Sequence, residues 1–173
     1  MPFIDNIKRS VAALFFNEKL IVEISNDEKA TNYGFLTLVI AGIASAIATL
    51  DPIGLIIYPI SIIISFFVGY SIYHLIAKFL LGGQATGVQY FRALSNVFVV
   101  YWFTFIPIIG IFLQFIAGLW ILALNIFILN KVHKLSMVKA VLLGLLPIIV
   151  LVLIVVLFSG IFLYMLGSKA LLS

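Results

Sequence analysis

Hydrophobic positions in this chain form long, nearly unbroken runs separated by short polar breaks, and only the first thirty or so residues depart from that pattern. In that first stretch Phe3, Ile4, Ile7, Val11, Leu14 and Phe15 recur at helical spacing, within about 120° of one another at about 100° per residue. Lys8 and Arg9 lie off the stripe. The pattern predicts an amphipathic helix over 3–16. It suits either a helix lying in the headgroup region with its apolar face down or one packed on the protein's own bundle. Asn17 to Ser25 reads as a second short helix with Leu20, Ile21 and Ile24 on one side. Ser25-Asn26-Asp27-Glu28 has the form of a capping box and would start the next helix.

From Tyr33 onward the runs reach the length of about 20 residues that a helix needs to cross a ~30 Å hydrocarbon core. The first expected span, 33–50, carries a small-residue face of Ala41, Gly42, Ser45, Ala46 and Ala48 suited to close helix packing. Asp51-Pro52 ends it, because the residue before proline avoids the helical region. The second, 55–81, ends in Tyr70, Tyr73, His74 and Lys78, an aromatic belt with a snorkelling cation. Gly82-Gly83 then breaks the chain, and Thr86-Gly87-Val88-Gln89 is another capping-box pattern that opens a third span, 87–106. Pro107 to Gly110 makes a tight uncharged turn into a fourth span, 111–130. Lys131-Val132-His133-Lys134 precedes a fifth, 137–166, which Pro147 should kink. The expected fold is therefore all-α: a polytopic membrane protein with five transmembrane helices (residues 33–173) behind a short cytoplasmic amphipathic N-terminal segment (residues 1–32).

Composition agrees. Of 173 residues 65% are hydrophobic and 9% charged, against about 25% charged in soluble domains, and the mean hydropathy is +1.32. Charge then orients the spans. Nine of the ten Lys and Arg residues fall on one side: Lys8, Arg9, Lys19 and Lys29 before the first span, Lys78 and Arg92 between the second and third, and Lys131, Lys134 and Lys139 between the fourth and fifth. Lys169 alone falls on the other side. Cytoplasmic loops carry such an excess, so the N-terminus is expected inside and the C-terminus on the opposite side. The cations stand singly between apolar runs, which speaks for membrane topology and against nucleic acid. No secretory signal is expected, since about thirty mixed-charge residues precede the first long apolar run.

Chemistry has few groups to work with. There is no cysteine, which excludes disulfides, thiolate metal sites and a cysteine nucleophile within this chain. All six carboxylates lie in the first 51 positions, so the later spans lack the Asp/Glu relay of an ion-coupled transporter. Gly69-Tyr70-Ser71 is half of a serine-nucleophile motif with His74 nearby, but a Ser and a His three apart on one helix are ordinarily packing neighbours. His74 and His133 share a side without a carboxylate or thiol, so no metal or other cofactor is expected and no enzymatic activity. Asn96, Gln114 and Asn125 sit inside spans, either bonding between helices or lining a hydrated cavity. The candidate site is the basic side itself: Lys78, Gly82, Gly83, Arg92, Lys131, His133, Lys134 and Lys139, placed to meet anionic lipid headgroups or a partner, or to set topology alone.

Several pieces in a fixed order carry a resemblance. They are Phe15-Phe16-Asn17; Ile24-Ser25-Asn26-Asp27-Glu28; Leu81-Gly82-Gly83 with Gly87 and Arg92; Ile106 to Gly110; Trp120; and Val132-His133-Lys134-Leu135-Ser136 with Lys139-Ala140. Together the chain resembles the Yip family of Ypt/Rab-interacting integral membrane proteins in its compact, prokaryotic-type form. The resemblance implies five helices, a cytoplasmic N-terminus and no enzymatic activity. Eukaryotic relatives are tied to small prenylated GTPases and vesicle traffic, with a longer cytosolic portion than the thirty residues here. The reading from sequence is a non-enzymatic membrane protein that organises membrane lipids, a protein partner or further copies of itself from its cytoplasmic face. The alternative is a permease or channel for a small solute or lipid, its path running past Asn96, Gln114 and Asn125.

Overall fold

The computed structural model describes residues 3–170, and every described element is helical. In chain order these are α1 (Phe3–Ala13), α2 (Glu18–Asn26), α3 (Ala30–Ala48), α4 (Gly54–Leu75), which runs on as a π-helical turn over Ile76–Leu80, α5 (Gly87–Val97), a 3-10 segment over Phe98–Thr104, α6 (Ile109–Lys131), α7 (Met137–Gly144) and α8 (Leu146–Ala170). Among the described residues three helices are long and apolar enough to cross a membrane: Ala30–Ala48, Gly54–Leu80 and Ile109–Lys131. A fourth follows if Met137–Gly144 and Leu146–Ser159, bent by 46° at their junction, are taken as one span. The bend falls beside Pro147, whose ring blocks the bond to the preceding turn.

Five uninterrupted spans are therefore not found: among the described residues three helices are long and apolar enough alone, or four with the bent pair, and the expected third is broken. The expected third span, 87–106, is α-helical for only eleven residues before it tightens into the 3-10 segment. Seven of those eleven residues are buried, among them the polar Ser95 and Asn96, so packing within the protein shapes this element more than lipid does. The 3-10 geometry brings side chains at i and i+3 into line. Phe98 and Tyr101 use it to stack at 5.5 Å, and Thr104 Oγ1 donates to the Tyr101 carbonyl at 2.8 Å.

One expected cap is replaced. Ser25 stays inside α2, its hydroxyl donating to the Val22 carbonyl at 2.7 Å, and Asp27 accepts from the Lys29 backbone N–H at 3.0 Å ahead of α3. The Thr86–Gln89 capping box forms as expected, with both reciprocal bonds present.

α3 is the centre of the bundle. Half of its best apolar window is buried, against 11% for the long helix Gly54–Leu80. It packs on α4, α5 and the 3-10 segment. The small-residue face does what its composition predicts: Gly42 leaves room for the backbone of Pro59, and a Cβ there would have to displace it. The outward faces of α4 and α6, with Ile56, Ile64, Phe112 and Phe115 exposed, present apolar surface suited to hydrocarbon.

Two backbone hydrogen bonds define the ends. At one end the Ile108 N–H donates to the Ala48 carbonyl at 2.9 Å, joining the α3–α4 turn to the approach of α6. At the other, the Gln84 N–H donates to the His133 carbonyl at 2.9 Å, joining the α4–α5 and α6–α7 loops. The chain therefore alternates between an end whose loops carry no Lys or Arg and an end that carries the cations.

Candidate functional site

The basic end is built on a loop that turns twice. The π-helical turn closes with the Leu81 N–H on the Ile76 carbonyl at 3.1 Å. Gly82 takes φ +77°, where a side chain is strained. Gly83 then lies buried against the Ala77 carbonyl, to which its N–H donates at 2.7 Å. Lys139 Nζ reaches across to the Leu81 carbonyl at 3.0 Å and Lys78 Nζ to the Gln84 carbonyl at 3.4 Å. Both acceptors are neutral, so neither ammonium charge is compensated.

Beneath this loop His74 Nδ1 and His133 Nε2 stand 3.3 Å apart, one donating and the other accepting. His133 is fully buried, with the Tyr90 ring 5.0 Å from its own, and its Nδ1 has no partner among the described residues. Burial first, then the neighbouring His74 and Lys78, hold the His133 imidazole down at about 4. A neutral imidazole in this pocket joins two loops. Among the described residues no cluster of three His, Cys, Asp or Glu side chains stands ready for a metal ion.

Of the site residues expected from sequence, the fold gathers Lys78, Gly82, Gly83, His133 and Lys139 around one loop pair. Lys131 and Lys134 line a neighbouring polar groove of about 350 Å³ together with Ser25, Asn26, Gln84 and Gln89. Arg92 is set apart: its Nε donates to Thr31 Oγ1 at 2.8 Å between α5 and the start of α3. Lys131 is not a free cation, because it pairs with Glu18 at 2.7 Å. Lys78, Arg92, Lys134 and Lys139 have no ion pair among the described residues. That α2 supplies one wall of the groove was not legible from periodicity or spacing. The side-chain amides Asn26 and Gln89, joined at 2.9 Å, do so across 63 positions.

The amphipathic α1 packs on the protein's own bundle, one of its two expected roles. It docks through its small polar stripe, with Asn6, Ser10 and Ala13 buried. Asn6 Nδ2 and Ser10 Oγ donate to Asn96 Oδ1, and Asn96 Nδ2 donates to the Ala30 and Arg92 carbonyls. Trp120 Nε1 fixes the α1–α2 turn by donating to the Leu14 carbonyl at 3.0 Å. Meanwhile Phe3, Ile4 and Phe15 stay exposed, on the surface an interfacial helix would give to lipid.

The three polar residues of the apolar runs do not share a path. Asn96 is sealed within protein contacts. Gln114 and Asn125 line a cavity of about 540 Å³ between α4 and α6, where Asn125 Oδ1 accepts from the Tyr90 hydroxyl at 2.6 Å. Asn96 therefore lies apart from the cavity that Gln114 and Asn125 share.

A family model described as Yip1 domain matches residues 12–159, most of the chain. Neither a curated protein nor a solved structure matches it.

Proposed function

The chain belongs to the Yip1 domain family, and from that premise we propose that it is a non-enzymatic, multi-pass membrane protein that holds anionic lipid headgroups at its basic end. The N-terminus is cytoplasmic in this reading and the C-terminus lies on the opposite side. The broken element Gly87–Thr104 crosses too: eleven α-helical and seven 3-10 residues extend roughly 30 Å.

The observation that carries the reading is the groove between α2 and the two basic loops. Lys134 is exposed there without a carboxylate, and Gln84, Gln89 and Asn26 add polar side chains beside it. Such a surface at the headgroup level attracts anionic lipid, each cation contributing on the order of 1 kcal/mol. The exposed Phe3 and Ile4 of α1, with Phe15 just beyond it, supply an apolar anchor.

Native mass spectrometry of the detergent-purified protein tests this directly. Phosphatidylglycerol should be retained over phosphatidylcholine, and the triple substitution Lys131→Gln, Lys134→Gln, Lys139→Gln should cost the preference about fivefold per lysine at most. Equal retention by wild type and variant sinks the reading. Lys131 should contribute least of the three, because Glu18 already neutralises it.

A further inference from the structure

The cavity between α4 and α6 is a second site, independent of the basic end. α4 packs on α3, and α6 packs on α7 and the 3-10 segment, but α4 and α6 scarcely touch. The gap between them holds about 540 Å³, within the range of ~300–1,000 Å³ typical of small-molecule sites. Tyr58, Ser61, Ser65 and Gly69 follow one another along the α4 wall, and Gln114 and Asn125 stand on the α6 wall. All lie well inside helices long enough to span a bilayer, so the cavity sits at hydrocarbon depth.

Its lining is mostly apolar, and the few polar groups in it are uncharged, with no Asp, Glu, Lys, Arg or His. Gln114 Nε2 is buried with no hydrogen-bond partner among the described residues. The hydroxyls of Ser61 and Ser65, both exposed on the open side of the cavity, make none either among the described residues, although serines in membrane helices ordinarily bond back to the preceding turn, as Ser45 does on α3. Unsatisfied donors at this depth have no water to turn to. They call for an occupant that brings its own acceptors and hydroxyls. An ionised head has no counter-charge here, and a bare hydrocarbon chain leaves the donors unmet.

We propose that this cavity binds a single-chain amphiphile with an uncharged, oxygen-bearing head, of the monoacylglycerol type. An ester carbonyl accepts from Gln114 Nε2, and the head hydroxyls meet Ser61 and Ser65. At the ~30 Å³ that a water-sized atom occupies in a liquid, the space takes roughly 18 heavy atoms. That is a glyceryl head with the upper part of one chain, and the rest of the chain runs out through the open side between the two helices.

Gly69 supplies a clean test. A Cβ added there meets nothing within 4 Å, so a larger side chain grows into the cavity without striking backbone. The probe is a monoacylglycerol carrying a diazirine in its chain, photolysed with the purified full-length protein in detergent and mapped by peptide mass spectrometry. Saturable labelling on residues 58–69 and 114–125, displaced by unlabelled monoacylglycerol, is expected. Gly69→Leu should lower labelling tenfold or more with an unchanged melting temperature. Gln114→Leu should weaken binding by about two- to tenfold, the usual range for one hydrogen bond.

Labelling spread over the outward face at Ile56 and Phe112, or unaffected by Gly69→Leu, would mean ordinary annular lipid and overturn the proposal. Displacement by phosphatidylglycerol as readily as by monoacylglycerol overturns the uncharged head. Cross-links joining two copies through α4 and α6 make the occupant a helix of a second copy and overturn it too. Should Gly69→Leu fail to fold, the wild-type map and Gln114→Leu still decide.

Discussion

Asn6 Nδ2 donates to Asn96 Oδ1 at 3.0 Å across ninety positions of sequence, and this pair holds the amphipathic α1 to the membrane bundle. Asn96 is fully buried and completes its bonding through the Ala30 and Arg92 carbonyls, so one side chain joins α1, α3 and α5. Asn96→Ala strands the Asn6 amide and the Ser10 hydroxyl, at a cost of about 2–4 kcal/mol for buried groups left unpaired. Asn6→Ala should cost about 1 kcal/mol, since Ser10 still reaches Asn96 Oδ1. Thermal melts in detergent read the stability, and limited trypsinolysis at Lys8 and Arg9 reads the release of α1. Equal, small effects from both substitutions would contradict the arrangement.

The two adjacent glycines of the basic loop differ sharply. A Cβ at Gly83 lies 2.6 Å from His133 Nδ1 and 2.7 Å from the Ala77 carbonyl oxygen, whereas one at Gly82 meets nothing within 4 Å. Gly82→Ala therefore suffers only left-handed strain, on the order of 1–2 kcal/mol. Gly83→Ala must push two loops apart and should destabilise by about 3 kcal/mol, the upper end of what overpacking ordinarily costs. A ranking in which Gly82→Ala is the more harmful in thermal melts would refute the loop packing.

Acid should act through His133. Its folded value of about 4, against an ordinary 6.5, means the unfolded chain takes up a proton that the folded chain refuses. Stability is full above 6.5, falls as pH drops toward 4 and levels off below, for a total of about 3 kcal/mol at most. His133→Gln should flatten that part of the pH–stability curve, whatever its effect at neutral pH.

Asp27 works in a lower window. Burial alone would raise its carboxyl, but the Arg9 guanidinium at 2.6 Å and the Lys29 N–H outweigh burial and hold it below its ordinary 3.8. Its contribution is complete above 3.8 and disappears as pH falls through the folded value. Asp27→Asn should cost about 1 kcal/mol at neutral pH, with a smaller penalty as the acid limb is approached.

Periodicity carried much of the fold. The long apolar runs became α3, α4 and α6 because nothing in them competes with a helix, and Thr86–Gln89 capped α5 because its side chains satisfy end groups locally. The break and the burial of the expected third span were not legible, because apolar composition does not distinguish residues facing lipid from residues facing protein. Phe91, Leu94 and Val97 are buried inside the bundle, beside an Asn96 that belongs to a network rather than to a pore. The basic loops were legible as a group through Lys78, Gly82-Gly83, His133 and Lys139. The groove wall from α2, the pairing of Lys131 with Glu18 and the placement of Arg92 on Thr31 were not, since each depends on contacts between residues far apart in sequence.

The alternation of ends gives a topology prediction that the lack of cysteine makes simple to test. In single-cysteine variants, Asn26→Cys and Lys134→Cys should react with a membrane-impermeant maleimide from one side of sealed vesicles. Ile53→Cys and Ile108→Cys should react from the other side, because the Ile108 N–H to Ala48 carbonyl bond keeps their loops together. Labelling of Asn26→Cys and Lys134→Cys from opposite sides would break the proposed arrangement.

The bond from the Gln84 N–H to the His133 carbonyl also sets an order of assembly during synthesis. Asn96 finds Asn6 and the Ala30 carbonyl already made when it leaves the ribosome, whereas Gln84 waits for about fifty further residues, a few seconds at ordinary elongation rates. Through that interval the glycine turn has no lid, and the bundle is tethered at its amino-terminal side before its basic mouth can shut.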